Sequence, residues 1–285
     1  MTFKQYLQDK RYSGGTINSY TGHIKLFTDW LQQEQLTGEQ ATYNDVIAFM
    51  HHMQQKGRSK RTIHGQLNIL RHYFNHLIAA GNRVDNPAAG IYVRGIVRKL
   101  PNNLLSREEM EDIYRQYQLQ LRVDREKKIM LGLLIYQGLR TDEVMNLEAA
   151  HINLREGKIF IKGARKSNER WLPLQANQAL ELQQYMQKNK FKEGVFLARL
   201  TYSNASKRNV NNRVKHMMGQ LQQLNPTVIN ANQIRNSVIT NWLQQYNLRQ
   251  VQYMAGHRYV SSTERYQVLN NDDLQNDLQR HHPMS

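Results

Sequence analysis

Three residues between positions 232 and 266 carry groups that can act on a phosphodiester. Arg235 can bind phosphate oxygens through paired N–H donors, and His257 can form a hydrogen bond or exchange a proton. Tyr266 offers a phenolic oxygen that can serve as a nucleophile. This stretch therefore predicts chemistry at a phosphate group, if the fold brings the three side chains together.

Further candidates lie upstream of this stretch. Arg140 follows a Gly-Leu pair and is expected at the start of a helix, held by a tight glycine turn. Lys162 and Lys166 lie where a β-hairpin is predicted. Two arginines can stabilise the negative charge that grows on phosphoryl oxygens during attack, because fixed cations need no reorganisation. Each residue alone also has a structural explanation, such as a salt bridge, a helix cap or a solvated charge.

The composition indicates a polyanionic partner. The chain has 285 residues and a formal net charge of +16, from 39 Lys+Arg and 23 Asp+Glu. Such a surplus favours nucleic acid first and an acidic membrane surface second. Without cysteine the chain can form neither disulfides nor thiolate metal sites, and its histidines show no metal-ligand pattern. No run of about 18 apolar residues exists and the N-terminus is polar, so a cytoplasmic, nucleoid-associated protein is expected.

Residues 1–90 are predicted to form a bundle of four helices. Apolar residues recur every three or four positions in each segment, which is typical of helices packed on one core. The predicted helices run around Phe3–Leu7, from a Thr16 cap, from near Thr42, and from Ser59 to the stop at Ala80-Gly81. Cations cluster at the turn into the fourth helix, where phosphate binding is favoured. These cations are Lys56, Arg58, Lys60 and Arg61.

A basic segment follows the bundle. Residues 91–103 contain Arg94, Arg98 and Lys99 together with Gly and Pro, and show no helical period. This composition favours a linker that runs along a DNA backbone, although an ordinary surface loop remains the alternative.

Residues 104–285 are predicted to form a second domain, mainly helical with a small β-hairpin. Ser106 and Glu109 form a capping-box pattern, and an apolar helix is expected at Ile129–Tyr136. Two β-prone runs, at 157–163 and 170–174, flank a polar segment and predict the hairpin. Further helices are expected at 176–188, 207–222, 232–245 and 248–254, before Tyr266, and in the tail after it.

Several of these motifs together resemble the tyrosine recombinases, the family of phage, Xer-type and Cre-type integrases and recombinases. The run GLLIYQGLRTDEVMNL resembles the family's first signature box, and AGHRYVSSTERY resembles its G-H…T-x-x-Y box. The hairpin resembles the family's lysine-bearing hairpin, and the bundle resembles its core-binding, SAM-like domain. The resemblance covers nearly the whole chain, in an Xer-like layout without an arm-binding domain. One position departs from the pattern, because Asn232 stands where the family has histidine.

The resemblance implies a site-specific recombinase that acts as a tetramer on duplex DNA, associating through its C-terminal tail. Tyr266 would form a 3′-phosphotyrosine and free a 5′-hydroxyl, with no need for ATP, a metal or another cofactor. Lys166, or alternatively Lys162, would protonate the leaving oxygen, and Asn232 would keep a positioning role, since an amide transfers no proton. Two alternatives stay open: a type IB topoisomerase-like enzyme, and a non-catalytic DNA-binding relative suggested by Asn232.

Overall fold

The computed structural model describes residues 1–96, 103–120, 125–164, 167–189 and 207–267. The chain divides into two compact units, Met1–Arg98 and Lys99–Ser285. Across these described ranges, no helix combines the length and apolar character needed to span a membrane. The predicted tail helix, the predicted general acid Lys166 and the basic residues Arg98 and Lys99 lie outside the described residues.

The first unit is helical throughout its regular structure. Hydroxyl side chains cap each helix, because the first backbone N–H groups of a helix need an acceptor. The third and fourth helices begin just after Thr42 and Ser59, near their predicted starts, and these two residues are the caps. The second helix begins earlier than expected: Ser13, not Thr16, caps it, accepting a hydrogen bond from the Thr16 N–H at 3.2 Å. The helices are α1 (Phe3–Asp9), α2 (Gly14–Gln33), α3 (Tyr43–Gln55) and α4 (Lys60–Ala79).

An aromatic cluster forms the centre of the first unit. The fully buried Phe27 of α2 packs edge-on against Phe49 of α3 and Phe74 of α4, with ring centroids 5.0 and 5.8 Å apart. Such edge-to-face pairs are favourable beyond the apolar area that they bury. The predicted apolar stripes of α2, α3 and α4 therefore meet in one core.

The second unit is mainly helical with one small antiparallel sheet, as the sequence predicts. The predicted capping box is present, because the Glu109 N–H donates to Ser106 Oγ at 3.1 Å. The helices are α5 (Arg107–Gln120), α6 (Arg125–Tyr136), α7 (Thr141–Met145), α8 (Ala176–Asn189), α9 (Lys207–Leu224), α10 (Ala231–Gln245), α11 (Leu248–Ala255) and α12 (261–267). The strands, in sheet order, are β1 (Ile152–Asn153), β2 (Lys158–Ile161) and β3 (Arg170–Pro173).

Helix α6 is the central helix of this unit. Its residues Ile129–Ile135 are all buried, and it packs against α5, α8, α9 and α10. Strands β2 and β3 form the predicted hairpin, with Ile161 opposite Arg170. Since side chains alternate between the faces of a strand, Arg170 lies on the buried face with Leu172. The sheet therefore brings an arginine into the interior of the unit.

Truncation of the aromatic cluster should destabilise the first unit. We expect Phe27→Ala to lower the free energy of unfolding by about 3–5 kcal/mol, since it removes a fully buried ring and leaves a cavity. Leu26→Ala, at a half-exposed neighbouring position, should stay within about 0.5 kcal/mol. Hydrogen exchange at the α4 amides of the full chain measures this unit separately. Equal protection in both variants would contradict the assignment of this core.

Candidate active site

Arg140 is positioned by the glycine turn that the sequence predicts. Gly138 has a φ of +57°, and a Cβ on it would lie 3.0 Å from a Val238 methyl group, so the turn requires glycine. Arg140 is the N-cap of α7, and its backbone N–H donates to Glu143 Oε2 at 2.9 Å. Within the described part of the chain, no group forms a hydrogen bond with the Arg140 guanidinium. The backbone of Arg140 is thus fixed, while its half-buried side chain retains its donors.

Arg235 is buried on α10 and connects three segments. Its Nη1 donates to the Gly138 carbonyl at 2.5 Å, and its Nη2 donates to the Ala255 carbonyl at 2.6 Å. Burial lowers the pKa of Arg235 to about 10, and nearby Glu143 partly opposes this effect. The guanidinium therefore stays charged at neutral pH and holds the ends of two elements near one point.

A buried ion pair between Arg170 and Glu143 lies next to Arg235. Arg170 of β3 forms two hydrogen bonds of 2.9 Å with the carboxylate of Glu143 on α7. Arg170 Nε also donates to the Met254 carbonyl at 2.8 Å, and Arg235 lies 3.8 Å from Glu143. Burial raises the pKa of Glu143, but the hydrogen bonds and charge of Arg170 outweigh it, so the net pKa is lowered. Glu143 is therefore an ionised carboxylate that two guanidinium groups face.

His257 follows α11 and lies beside Arg235. Its Nε2 is 3.5 Å from Arg235 Nη2, and its Nδ1 is 2.8 Å from Thr263 Oγ1. Because a guanidinium only donates, Nε2 must be the acceptor and the ring hydrogen belongs on Nδ1, which donates to Thr263. Burial, followed by the charges of Arg235 and other arginines, lowers the pKa of His257 to about 3. His257 is therefore a neutral imidazole with its lone pair toward Arg235.

The β-hairpin is attached to the His257 turn. The Asn168 N–H donates to the Gly256 carbonyl at 3.1 Å, and Ser167 forms a β-bridge with His257. Gly256 has a φ of +65°, and a Cβ on it would lie 2.4 Å from Arg170 Nη1, so this turn also requires glycine. Lys162 is exposed just after β2. It lines a cleft of about 320 Å³ whose lining also includes Glu143. The structure thus places one of the two candidate lysines beside α7.

Tyr266 lies on α12 with only 1% of its surface exposed. Its ring stacks on His257, with centroids 6.1 Å apart and planes 14° apart. Its hydroxyl donates to Asn236 Oδ1 at 2.9 Å and accepts from Arg265 Nη2 at 2.7 Å. The fold therefore brings Tyr266, His257 and Arg235 into one connected group.

Asn232 does not belong to this contact group. It is exposed on the first turn of α10, and the asparagine that contacts Tyr266 is Asn236, one turn later. Sequence reasoning missed Asn236, Arg265, Thr263 and the Glu143–Arg170 pair. The one local signal for Arg170 was its position two residues before Leu172, which places both side chains on the same face of a strand.

The predicted DNA-binding cations of the first unit lie on its surface. Around the start of α4 they are all exposed: Lys56, Arg58, Lys60 and Arg61. A Cβ built on Gly95 would lie 3.1 Å from the ammonium of Lys60, so this ammonium is close to the Gly95 backbone. The exposed Arg94 precedes Gly95 in the chain. The turn before α4 and the start of the basic segment therefore form one surface, and DNA binding there stays a prediction.

Both units match known protein families. Residues 103–272 match the Phage integrase family, and residues 1–81 match the Phage integrase N-terminal SAM-like domain. Tyrosine recombinase XerC of Oceanobacillus iheyensis is 25% identical, with 99% of this chain and 95% of that protein covered. Tyrosine recombinase XerC of Bacillus subtilis is 26% identical, with the same coverage.

Solved structures share the fold. A lambda integrase dimer bound to a COC′ core site has a TM-score of 0.68 and 15% identity, covering 93% of this chain and 92% of that chain. The Tn1549 transposon integrase in complex with transposon right end DNA has a TM-score of 0.65 and 18% identity, covering 99% of both chains. The family match spans more than half of the sequence and includes Arg140, Arg235, His257 and Tyr266, so this protein belongs to the phage integrase family, the tyrosine recombinases.

Proposed function

We propose that this protein is a site-specific recombinase that cuts and rejoins duplex DNA through a covalent 3′-phosphotyrosine at Tyr266. The observation that carries the proposal is the connected group in which Tyr266 stacks on His257 and His257 faces Arg235. A tyrosine nucleophile next to fixed phosphate-binding cations suits transfer of a phosphodiester. The phosphotyrosine retains the bond energy of the DNA backbone, so rejoining needs no ATP.

Arg140 and Arg235 are proposed to bind the scissile phosphate. An arginine carries five N–H donors. In Arg235, three of these donors are used by the Gly138 carbonyl, the Ala255 carbonyl and His257. Two N–H donors of Arg235 therefore remain for phosphate oxygens. The guanidinium of Arg140 is hydrogen-bonded to no group in the described ranges, so its paired N–H donors are available to the same phosphate. Both residues would stabilise the charge that develops as the phosphate is attacked.

His257 is proposed to change its role when DNA is bound. In the structure its pKa is lowered to about 3, first by burial and then by surrounding arginines. A phosphodiester brings negative charge into this environment, which favours the protonated imidazole and raises the pKa of His257. The protonated His257 would then donate a hydrogen bond to the phosphate. Asn232 would contribute a hydrogen bond from its amide, without proton transfer.

The first unit is proposed to hold the DNA. Its exposed basic surface near Lys60 and Arg94 suits binding of the phosphate backbone, which positions a protein without reading sequence. The basic residues Arg98 and Lys99 would extend this contact. We propose further that the protein assembles as a tetramer on DNA through its C-terminal tail, and that it acts in the cytoplasm at the nucleoid.

Tyr266→Phe should abolish the covalent adduct while DNA binding persists. The change removes only the phenolic oxygen, so the stacking on His257 is retained. The measurement uses a suicide duplex, selected from random sequences by binding, and scores the adduct on a denaturing gel. An adduct formed by Tyr266→Phe would show that another residue is the nucleophile.

A change of leaving group in the substrate distinguishes the roles of the two hairpin lysines. We expect Lys166→Ala to slow cleavage by about 100- to 10,000-fold, as for loss of a general acid, and Lys162→Ala to have a smaller effect. A substrate with sulfur at the bridging 5′ position should restore the rate, because a thiolate leaves without protonation. If Lys162→Ala were the slower variant, and the sulfur substrate restored the cleavage rate of Lys162→Ala only, Lys162 would be the general acid.

A further inference from the structure

The phenolic oxygen of Tyr266 has two partners that its proposed function does not use. Arg265 Nη2 donates to this oxygen at 2.7 Å, and the oxygen's own hydrogen goes to Asn236 Oδ1 at 2.9 Å. The Arg265 guanidinium also lies 4.8 Å from the centroid of the Tyr266 ring. The oxygen that would attack the phosphate is therefore in contact with a cation from the adjacent residue.

The two contacts act in opposite directions on the phenol. A charged donor forms a stronger hydrogen bond to an anionic oxygen than to a neutral one, so Arg265 favours the phenolate. The Asn236 amide oxygen can only accept, so its bond favours the protonated phenol and is lost on ionisation. Asn236 thus holds the resting hydroxyl, while Arg265 can remain bound to the oxygen as negative charge develops on it.

We infer that Arg265 is a catalytic residue that stabilises the Tyr266 oxygen as nucleophile and as leaving group. The inference rests on the proposed nucleophilic role of Tyr266. In cleavage, the phenolic proton passes to water, the oxygen bonds to phosphorus, and the P–O5′ bond breaks as the 5′ oxygen takes a proton from the hairpin lysine. In rejoining, the 5′-hydroxyl attacks phosphorus, returns its proton to that lysine, and Tyr266 leaves as a phenolate bound to Arg265.

A purely structural role for Arg265 makes different predictions. Its side chain is exposed, and a cation beside an aromatic ring stabilises packing regardless of the charge on the phenolic oxygen. In that case the loss of Arg265 could not be offset by a more acidic phenol. The acidity of the residue at position 266 therefore distinguishes the two roles.

The experiment measures single-turnover adduct formation by the full chain at saturating suicide duplex. We expect Arg265→Gln to slow the reaction by about 10-fold, the lower end for a charge-assisted hydrogen bond because the arginine is exposed. Arg265→Lys should retain part of the rate. Replacement of Tyr266 by 3-fluorotyrosine, a more acidic phenol, should recover most of the loss in Arg265→Gln and change the parent protein little. Arg107→Gln, which removes another exposed charge, one paired with Glu111, should react at the parent rate.

Two results would overturn the inference. One is an unchanged rate in Arg265→Gln, and the other is a slow rate that 3-fluorotyrosine leaves slow, which would assign Arg265 to packing. Failure of the proposed function looks different, because either the parent protein would form no adduct or Tyr266→Phe would still form one.

Discussion

The buried pair of Glu143 and Arg170 is the interaction on which the geometry of this site depends. Removing two charges from water costs several kcal/mol for each ion, and their attraction offsets this cost only when the geometry is good and the remaining donors and acceptors are satisfied. Here the carboxylate receives two hydrogen bonds from Arg170 and one from the Arg140 backbone, and Arg170 also binds the Met254 carbonyl. The pair therefore joins strand β3, the start of α7 and the end of α11.

The close packing around these arginines also requires glycine at two turns, at Gly138 and Gly256. Arg235 takes its carbonyl acceptors from Gly138 and from Ala255, the residue before Gly256. Both glycines have positive φ values, and a side chain at either would press on a neighbouring side chain. A Cβ at Gly256 would meet Arg170 Nη1, and a Cβ at Gly138 would meet the Val238 side chain. Each of the G-L-R and G-H motifs thus combines a candidate site residue with a turn that has no room for a side chain.

The sequence predicted the elements better than the contacts between them. Periodicity and capping residues located the helices, although the α2 cap is Ser13 because a helix tolerates glycines in its first turn. Strand β1 was not predicted, since two residues show no alternation. The Glu143–Arg170 pair spans 27 positions, and no local pattern indicates such a partner. Likewise, Asn236 became visible as the partner of Tyr266 only once α10 and α12 were packed together.

The positive charge around His257 links the protonation of its imidazole to the arrival of a negative charge. Arg235, Arg140, Arg265 and Arg170 all lower the pKa of His257, after burial itself. The ionised Glu143 is held by Arg170, so it offsets only part of the positive charge that faces the imidazole. An incoming phosphodiester would supply the missing negative charge, bind the free arginine donors and let the imidazole hold a proton. Substrate binding and protonation of His257 would then be one electrostatic event, and the ion pair keeps the arginines in place for it.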